Sequence, residues 1–318
     1  MTDHTRQIVT LTMNPSIDLY INVRRLKPAD KLRGRIARRD PGGGGINVSR
    51  AISSLGGQAL ALLPAGGPSG IFLQDLLAAE DVPCRVQEID GISRENFTVF
   101  EEETDQEYRF VLPGPELTKR EWQACLDMLA ALEPLPQYLV ASGSLPPGVP
   151  DDFYARVARW ARSAGVRLVL DTSGTALQAA LDEKVYLIKP NRRELQDLSG
   201  RPIESAEDEE QVCRKMIEDG RCEVIALTLG KDGALLITAE ESRRVETPAL
   251  EAKSSVGAGD SFVAGMVLGL VRKLSLREAF CYGNAAGAAA LLTPGTELCL
   301  KEDVERLYEQ LCSAWPNS

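Results

Sequence analysis

Histidine is nearly missing from this chain of 318 residues: the only one is His4, in a terminus expected to be mobile. Its scarcity excludes Ser-His-Asp triads, Cys-His dyads and His-ligated metal sites. Any chemistry must rest on carboxylates, lysines, arginines and backbone amides. Paired cysteines are missing too. The seven present, at 84, 125, 213, 222, 281, 299 and 312, are odd in number and form no CxxC, so neither a disulfide frame nor a zinc site is expected. No GxxxxGK[ST] loop occurs, and no GxGxxG follows the first apolar run. Apolar runs are too short to span a bilayer, and "MTDHTRQIVTLTMNPSID" lacks the long apolar core of a signal peptide. A net charge of −10 disfavours nucleic acid and anionic membranes as partners. A soluble, cytoplasmic protein is expected, in which an anionic ligand needs a locally basic site.

At 44% hydrophobic, the chain can bury a large core. Short apolar runs at 8–13, 59–64, 137–142, 166–171, 185–190 and 224–230 look like buried strands. Helical patterns lie between them at 46–55, 69–79, 118–132, 151–164, 191–198 and 205–219, with more at 258–272, 275–292 and 301–312. Strands apolar throughout and separated by helices predict an α/β fold with a mainly parallel sheet covered on both faces. Two stretches break the rhythm. Residues 16–40 hold eight Lys/Arg between Arg24 and Arg39, and residues 85–112 alternate polar and apolar without a helical period. Half-exposed antiparallel strands fit both, forming a small β-lid from two excursions, about 16–40 and 85–112, out of one domain spanning 1–318.

In "SSVGAGDSF", glycines at a helix start free backbone N–H groups to meet an anion, and the helix dipole adds positive potential. Asp260, placed just after them, could take a proton from an attacking hydroxyl. An N-capping Asp after a flexible turn reads the same way. In "DPGGGGINVSRAISSLGG", four glycines permit close backbone approach to a ligand at a helix start, and Asn47 could hydrogen-bond sugar hydroxyls. In "IKPNRREL", Asn191 and Glu194 sit three apart on one helix face, which suits Mg²⁺ held partly through water and phosphate; taken alone, the motif favours a capped surface helix. Lys31, Arg33, Arg94 and Arg109 could clamp a phosphate, or form a solvated basic face.

Together these segments resemble the ribokinase-like (pfkB) carbohydrate kinases over essentially the whole chain. The signatures "PGGGGINVSRAISSLGG" and "SSVGAGDSFVAGMVLGL" carry the likeness, with "NPSID", "SGSLPPG", "KPNRREL" and "LTLGKDGAL" in the family's usual order. The phosphofructokinase branch, which includes tagatose-6-phosphate kinase, is most similar. The resemblance implies a three-layer ribokinase-like sandwich plus lid, with sugar phosphate beneath the lid and ATP near the C-terminal segments. It implies Asp260 as catalytic base and Gly257, Ala258 and Gly259 as anion hole. Asp18, Gly43, Asn47 and Ser144 match sugar-contacting positions. Lys31, Arg33, Arg94 and Arg109 match phosphate ligands, with Arg94 or Arg109 able to reach across from a partner's lid in a homodimer. Asn191 and Glu194 match the NxxE motif that organises Mg²⁺, and Lys189 lies beside it. Thr228, Gly230, Gly233, Ser255 and Asn284 match nucleotide-lining positions.

Gly44 stands where 1-phosphofructokinases usually carry lysine, and "KLRGR" and "EYRFVLPG" look like the minor bacterial 6-phosphofructokinases. The resemblance therefore implies ATP-dependent phosphorylation of fructose 6-phosphate at C1; fructose 1-phosphate and tagatose 6-phosphate are the alternatives. Some members bind K⁺ through an acid six residues before the base. Here that place is Ser254, leaving a monovalent cation only backbone carbonyls. Two other classes compete: a non-catalytic sugar-phosphate-binding protein, and a nicotinamide oxidoreductase, against which the missing N-terminal GxGxxG counts.

Overall fold

The structure, a computed structural model, describes residues 7–248 and 250–314; His4 lies outside them. A large sheet is built from β1 (Ile8–Leu11), β4 (Leu60–Ala65), β5 (Cys84–Glu88), β8 (Tyr138–Ser142), β9 (Arg167–Asp171), β10 (Val185–Ile188), β11 (Cys222–Thr228), β12 (Ala234–Ile237) and β13 (Ser242–Val245). Its order is β13-β12-β11-β10-β9-β8-β1-β4-β5. Pairing is parallel from β11 through β5, and antiparallel where β12 and β13 close one edge.

Helices cover both faces, because alternate strand residues point to opposite sides. Leu139, Leu168, Leu170 and Ile225 join a core with α3 (Lys119–Ala130), α4 (Phe153–Ala164), α5 (Gly174–Leu181), α6 (Arg192–Ser199) and α7 (Ala206–Glu218). Val140, Val169, Val224 and Ala226 face the other core, with α1 (Gly44–Ser54), α8 (Ala258–Val271), α9 (Leu276–Ala290) and α10 (Lys301–Ala314). α2 (Gly67–Ala79) packs under the lid with Ile17, Leu19 and Ile46. This is the expected ribokinase-like α/β sandwich.

The lid is a second sheet of β2 (Ser16–Val23), β3 (Arg35–Gly42), β6 (Arg94–Glu101) and β7 (Gln106–Phe110), in the order β3-β2-β6-β7. Two expectations need correction. The central β2–β6 pair is parallel, so the lid is mixed rather than wholly antiparallel. Cys84–Glu88 does not belong to the lid: it runs parallel to β4 at the edge of the large sheet. An edge strand with one face half-exposed alternates polar and apolar just as a lid strand does, so periodicity could not separate them. The hairpin β12–β13 was not anticipated either; its strands are four residues each. Of the cysteines whose side chains are described, all are free thiols, and all but half-exposed Cys84 are buried. No described helix is long and apolar enough to cross a membrane.

Candidate active site

Ligands of open α/β sheets lie beyond the carboxyl ends of the strands. The segments singled out from sequence lie at or just beyond such ends: 12–15 after β1, 143–144 after β8, 189–191 after β10 and 228–230 ending β11. The lid springs from the same edge, since β2 follows β1 within five residues.

α8 starts without a side-chain cap. Its N-cap residue, Gly257, sits in the left-handed region at φ 73°, and Ser261 N–H donates to Gly257 O at 2.8 Å. The earlier amides of that turn lack intrahelical acceptors and are free for an anion. A cation lies beneath them: Lys189 Nζ is 3.5 Å from where a Cβ on Gly259 would stand. Lys189 is buried and paired with Asp171 at 3.2 Å. Burial works against its charge, but Asp171, Glu194 and Asp260 outweigh it and raise its pKa. The helix tip and the ammonium thus bring backbone N–H donors and a cation to one place.

Asp260, in the first turn of α8, accepts a hydrogen bond from Asn47 Nδ2 at 2.9 Å. Burial chiefly, with the nearby charge of Asp171 and less of Asp18, pushes its pKa up to about 7; Asn47 and Lys189 pull the other way. A carboxylate poised there exchanges a proton near neutral pH. It is not capping its own helix, so the alternative reading of this Asp as an N-cap fails.

Asn47 comes from α1, whose N-cap, Gly43, has φ 111°. Gly42 and Gly44 are needed for close approach. A Cβ on Gly42 would lie 2.3 Å from Asp18 Oδ2, and one on Gly44 2.2 Å from Ser142 Oγ. The Asp18 carboxylate is held by Ser16 at 2.8 Å and Asn96 at 2.9 Å. Arg94 is anchored by its own chain, donating to the carbonyls of Asn14 and Leu112 at 2.8 Å each, while its buried Nε has no partner. Asn14 donates to Ser144 Oγ at 3.2 Å. Arg94, Asn14 and Ser144 line a pocket of about 650 Å³.

Lys31 and Arg33 do not join them. Both are exposed and line a separate basic pocket of about 550 Å³ with Arg24, Arg25 and Lys27. Arg109 is exposed on β7. Within one chain, no contact among the described residues brings these three to Asp18 or Arg94.

Among the residues expected to line a nucleotide, Asn191 bridges to Thr228, whose N–H donates to Pro190 O at 2.9 Å. Gly230–Asp232 form a 3₁₀ turn, and a Cβ on Gly233 would collide with Val245 O. Asn284 is buried with Nδ2 unpartnered, whereas Ser255 is exposed. Asn191 and Glu194 form a reciprocal capping box at 2.9 Å each way, as the helix-cap alternative anticipated. Glu194 Oε1 is left free by that box, and burial raises this carboxyl's pKa. No cluster of three or more His, Cys, Asp or Glu among the described residues could cage a metal. One free carboxylate oxygen suits a hydrated Mg²⁺ shared with phosphate, the form this ion prefers.

Sequence reading missed Asp171 and Asn96. Asp171 had a usable signal, an acid ending a buried strand on the ligand-binding edge; Asn96 had none.

The pfkB family carbohydrate kinase model matches residues 8–303. A curated relative, ATP-dependent 6-phosphofructokinase isozyme 2 of Mycobacterium tuberculosis, is 46% identical over 303 residues, covering 95% of this chain and 89% of its own length. Solved structures of Escherichia coli phosphofructokinase-2 cover 97% of this chain and 100% of theirs. The complex with potassium is 39% identical at TM-score 0.93. That with fructose-6-phosphate is 38% identical at 0.91, and a tetrameric inhibited form 38% at 0.92.

Proposed function

The chain belongs to the pfkB family of carbohydrate kinases, and from that premise we propose that it transfers the γ-phosphoryl group of ATP to the C1 hydroxyl of fructose 6-phosphate. One observation carries the reading: Asp260, Asn47 and Lys189 converge on the bare amide tip of α8. Asp18 and Asn47 orient the sugar, with Gly43 and Ser144 beside them. Arg94, its Nε unsatisfied, holds the 6-phosphate. The C1 oxygen attacks the γ-phosphorus, its proton passes to Asp260, the bond to the β,γ-bridging oxygen breaks, and ADP leaves. The nucleophile bonds late in such transfers, so orientation by Asp260 matters more than its base strength. Amides of Gly257, Ala258, Gly259 and Asp260, with Lys189, neutralise the migrating group. Glu194, beside Asn191, would hold Mg²⁺ through water, and the bound ion would supply charge neutralisation on the phosphates. Thr228, Gly230, Gly233, Ser255 and Asn284 line the nucleotide.

In this reading residues 1–318 are one cytoplasmic catalytic unit whose lid closes over the sugar and keeps water from ATP. Chains pair through the lid as a homodimer, which brings the exposed Lys31, Arg33 and Arg109 toward a neighbouring site. Arg94 stays in its own chain's site, since its own carbonyls hold it. The potassium complex of the Escherichia coli relative is consistent with a monovalent cation in this chain as well. Ser254, whose hydroxyl accepts from Val256 N–H at 3.3 Å, brings no carboxylate, so backbone carbonyls would supply most of the ligands.

The sugar preference rests on the relative's name and on Gly44, where a lysine would press its Cβ onto Ser142 Oγ and, at 2.9 Å, onto Gly143 N. The test is ADP release with fructose 6-phosphate, fructose 1-phosphate and tagatose 6-phosphate side by side. The highest kcat/KM is expected with the first. A preference for either other sugar moves the substrate assignment, and no ADP with any of them refutes the kinase reading in favour of a binding protein.

A further inference from the structure

The structure assigns a positioning role to Arg50: its buried guanidinium fixes which end of the Asn47 amide faces Asp260. The assignment rests on the phosphotransfer reading for its purpose, but not for its geometry. Arg50 follows Asn47 by three residues on α1, so both side chains share a face. It is 5% exposed. Nε and Nη2 hold Glu80 as a fork at 2.6 and 2.8 Å, and Nη1 donates to Pro41 O at 3.0 Å. Asp40 lies 3.5 Å from Nη2. These contacts pin the plane, and Nη1 then meets Asn47 Oδ1 at 3.4 Å.

That last bond is long, and its energy is not what matters. An amide has two ends, and Asn47 sits between a guanidinium N–H and a carboxylate oxygen. With Oδ1 toward Arg50 and Nδ2 toward Asp260, both contacts are attractive. Rotated by half a turn, the amide would set N–H against N–H and oxygen against carboxylate, two repulsions between buried or half-buried groups. Arg50 is the group that makes the orientations unequal on the side away from Asp260. A plain core ion pair would account for Glu80 and Asp40, but not for the bond to Oδ1. Lysine could not replace it, because one ammonium lacks the planar fork that reaches Glu80, Pro41 and Asn47 together.

Four side chains face Asp260 from the elements around it: Asn47 on α1, Asp18 on β2, Asp171 on β9 and Lys189 after β10. Asn47 is the neutral one, and its donated bond favours the ionised carboxylate. If the amide loses its fixed orientation, that bond weakens while the two acids and the lysine stay.

The test reads Asp260 directly, by aspartate-¹³Cγ NMR of the substrate-free protein, its resonance assigned by its loss in Asp260→Asn. Arg50→Gln combined with Glu80→Gln removes the guanidinium and its partner charge together, sparing the fold an unpaired acid. The Asp260 titration midpoint is expected to rise by about one pH unit. In an Asn47→Ala background the same pair of changes is expected to move it by less than about a third of that. Arg50→Lys, which keeps a charge beside Glu80, is a second variant expected to shift the midpoint upward. An unmoved midpoint, or equal shifts in both backgrounds, overturns the role and leaves Arg50 a structural ion pair. Since neither ATP nor sugar is present, a wild-type protein without kinase activity refutes the phosphotransfer reading and leaves this result to stand or fall alone.

Discussion

The side-chain amide of Asn47 meets the Asp260 carboxylate at 2.9 Å, joining the first turns of α1 and α8 across 213 residues of sequence. Two glycine-flanked helix starts are thereby locked face to face. Asp260→Asn keeps a group of the same shape beside Asn47 but cannot take up a proton. Its kcat is expected to fall at least ~10²-fold with sugar-phosphate KM nearly unchanged. Wild-type turnover in that variant would remove Asp260 from the reaction.

The same carboxyl sets opposite pH trends for activity and stability. Its pKa is raised to about 7 in the folded protein, against ~3.9 for an unperturbed Asp. The folded state therefore binds this proton more tightly than the unfolded chain. The resulting stabilisation is full below about pH 4 and is lost as pH rises through about 7. Catalysis needs the ionised form, so kcat/KM should drop about tenfold per unit on the acid side of pH 7. Asp260→Asn removes the ionisation cost, and its melting temperature is expected to exceed the wild type's by a few degrees at pH 8 but not at pH 5. A flat kcat/KM profile between pH 5.5 and 8 would contradict the role of this group.

How much of this was legible beforehand depended on how local each signal is. Asp260, Asn47 and the Asn191–Glu194 pair announce themselves because helix starts are written in adjacent residues. The buried strands were legible for the same reason, as unbroken apolar runs. Asp171 was legible only in part: in "VRLVLD" it shows as an acid ending a buried strand, but its partner Lys189 emerges only because β9 lies beside β10. Arg50 carries no signal of its own in the sequence, because its contacts depend on Glu80, 30 residues on. β5 was misassigned because its half-exposed alternation is a property of edges, whichever sheet owns them.

Assigning the 6-phosphate to Arg94 makes sugar-phosphate and ATP binding separable by mutation. Burial lowers its pKa, the charge of Asp18 works in the opposite sense, and its Nε lacks a partner. A phosphate oxygen would satisfy that N–H. Charge-assisted bonds of this kind are worth roughly 1.5–3 kcal/mol. Arg94→Ala is thus expected to raise KM for the sugar phosphate by about 10–100-fold while KM for ATP stays put. Movement of the ATP constant alone would show that Arg94 serves the nucleotide side.

Gly257 and Gly259 flank Ala258 in the same turn, yet alanine should affect them in opposite ways. Gly257 has φ 73°, and a Cβ there would press on Leu298 at 2.5 Å. Gly257→Ala is expected to cost stability, by about 1–3 kcal/mol for an L-residue forced into a strained backbone region. At Gly259 a Cβ would meet only Lys189, at 3.5 and 3.6 Å, which is ordinary contact, and the backbone is helical. Gly259→Ala should therefore melt no lower than the wild type, and could gain from the better helix former. Its methyl would nevertheless sit between the ammonium and the amides at the place the phosphoryl group must occupy. A large loss of kcat, on the scale of ~10²–10³ for a damaged oxyanion-type site, is expected from a protein whose unfolding curve is unchanged. If Gly259→Ala turns over normally, phosphate does not pass through the tip of α8, and the roles drawn for Lys189 and the amides fall with it.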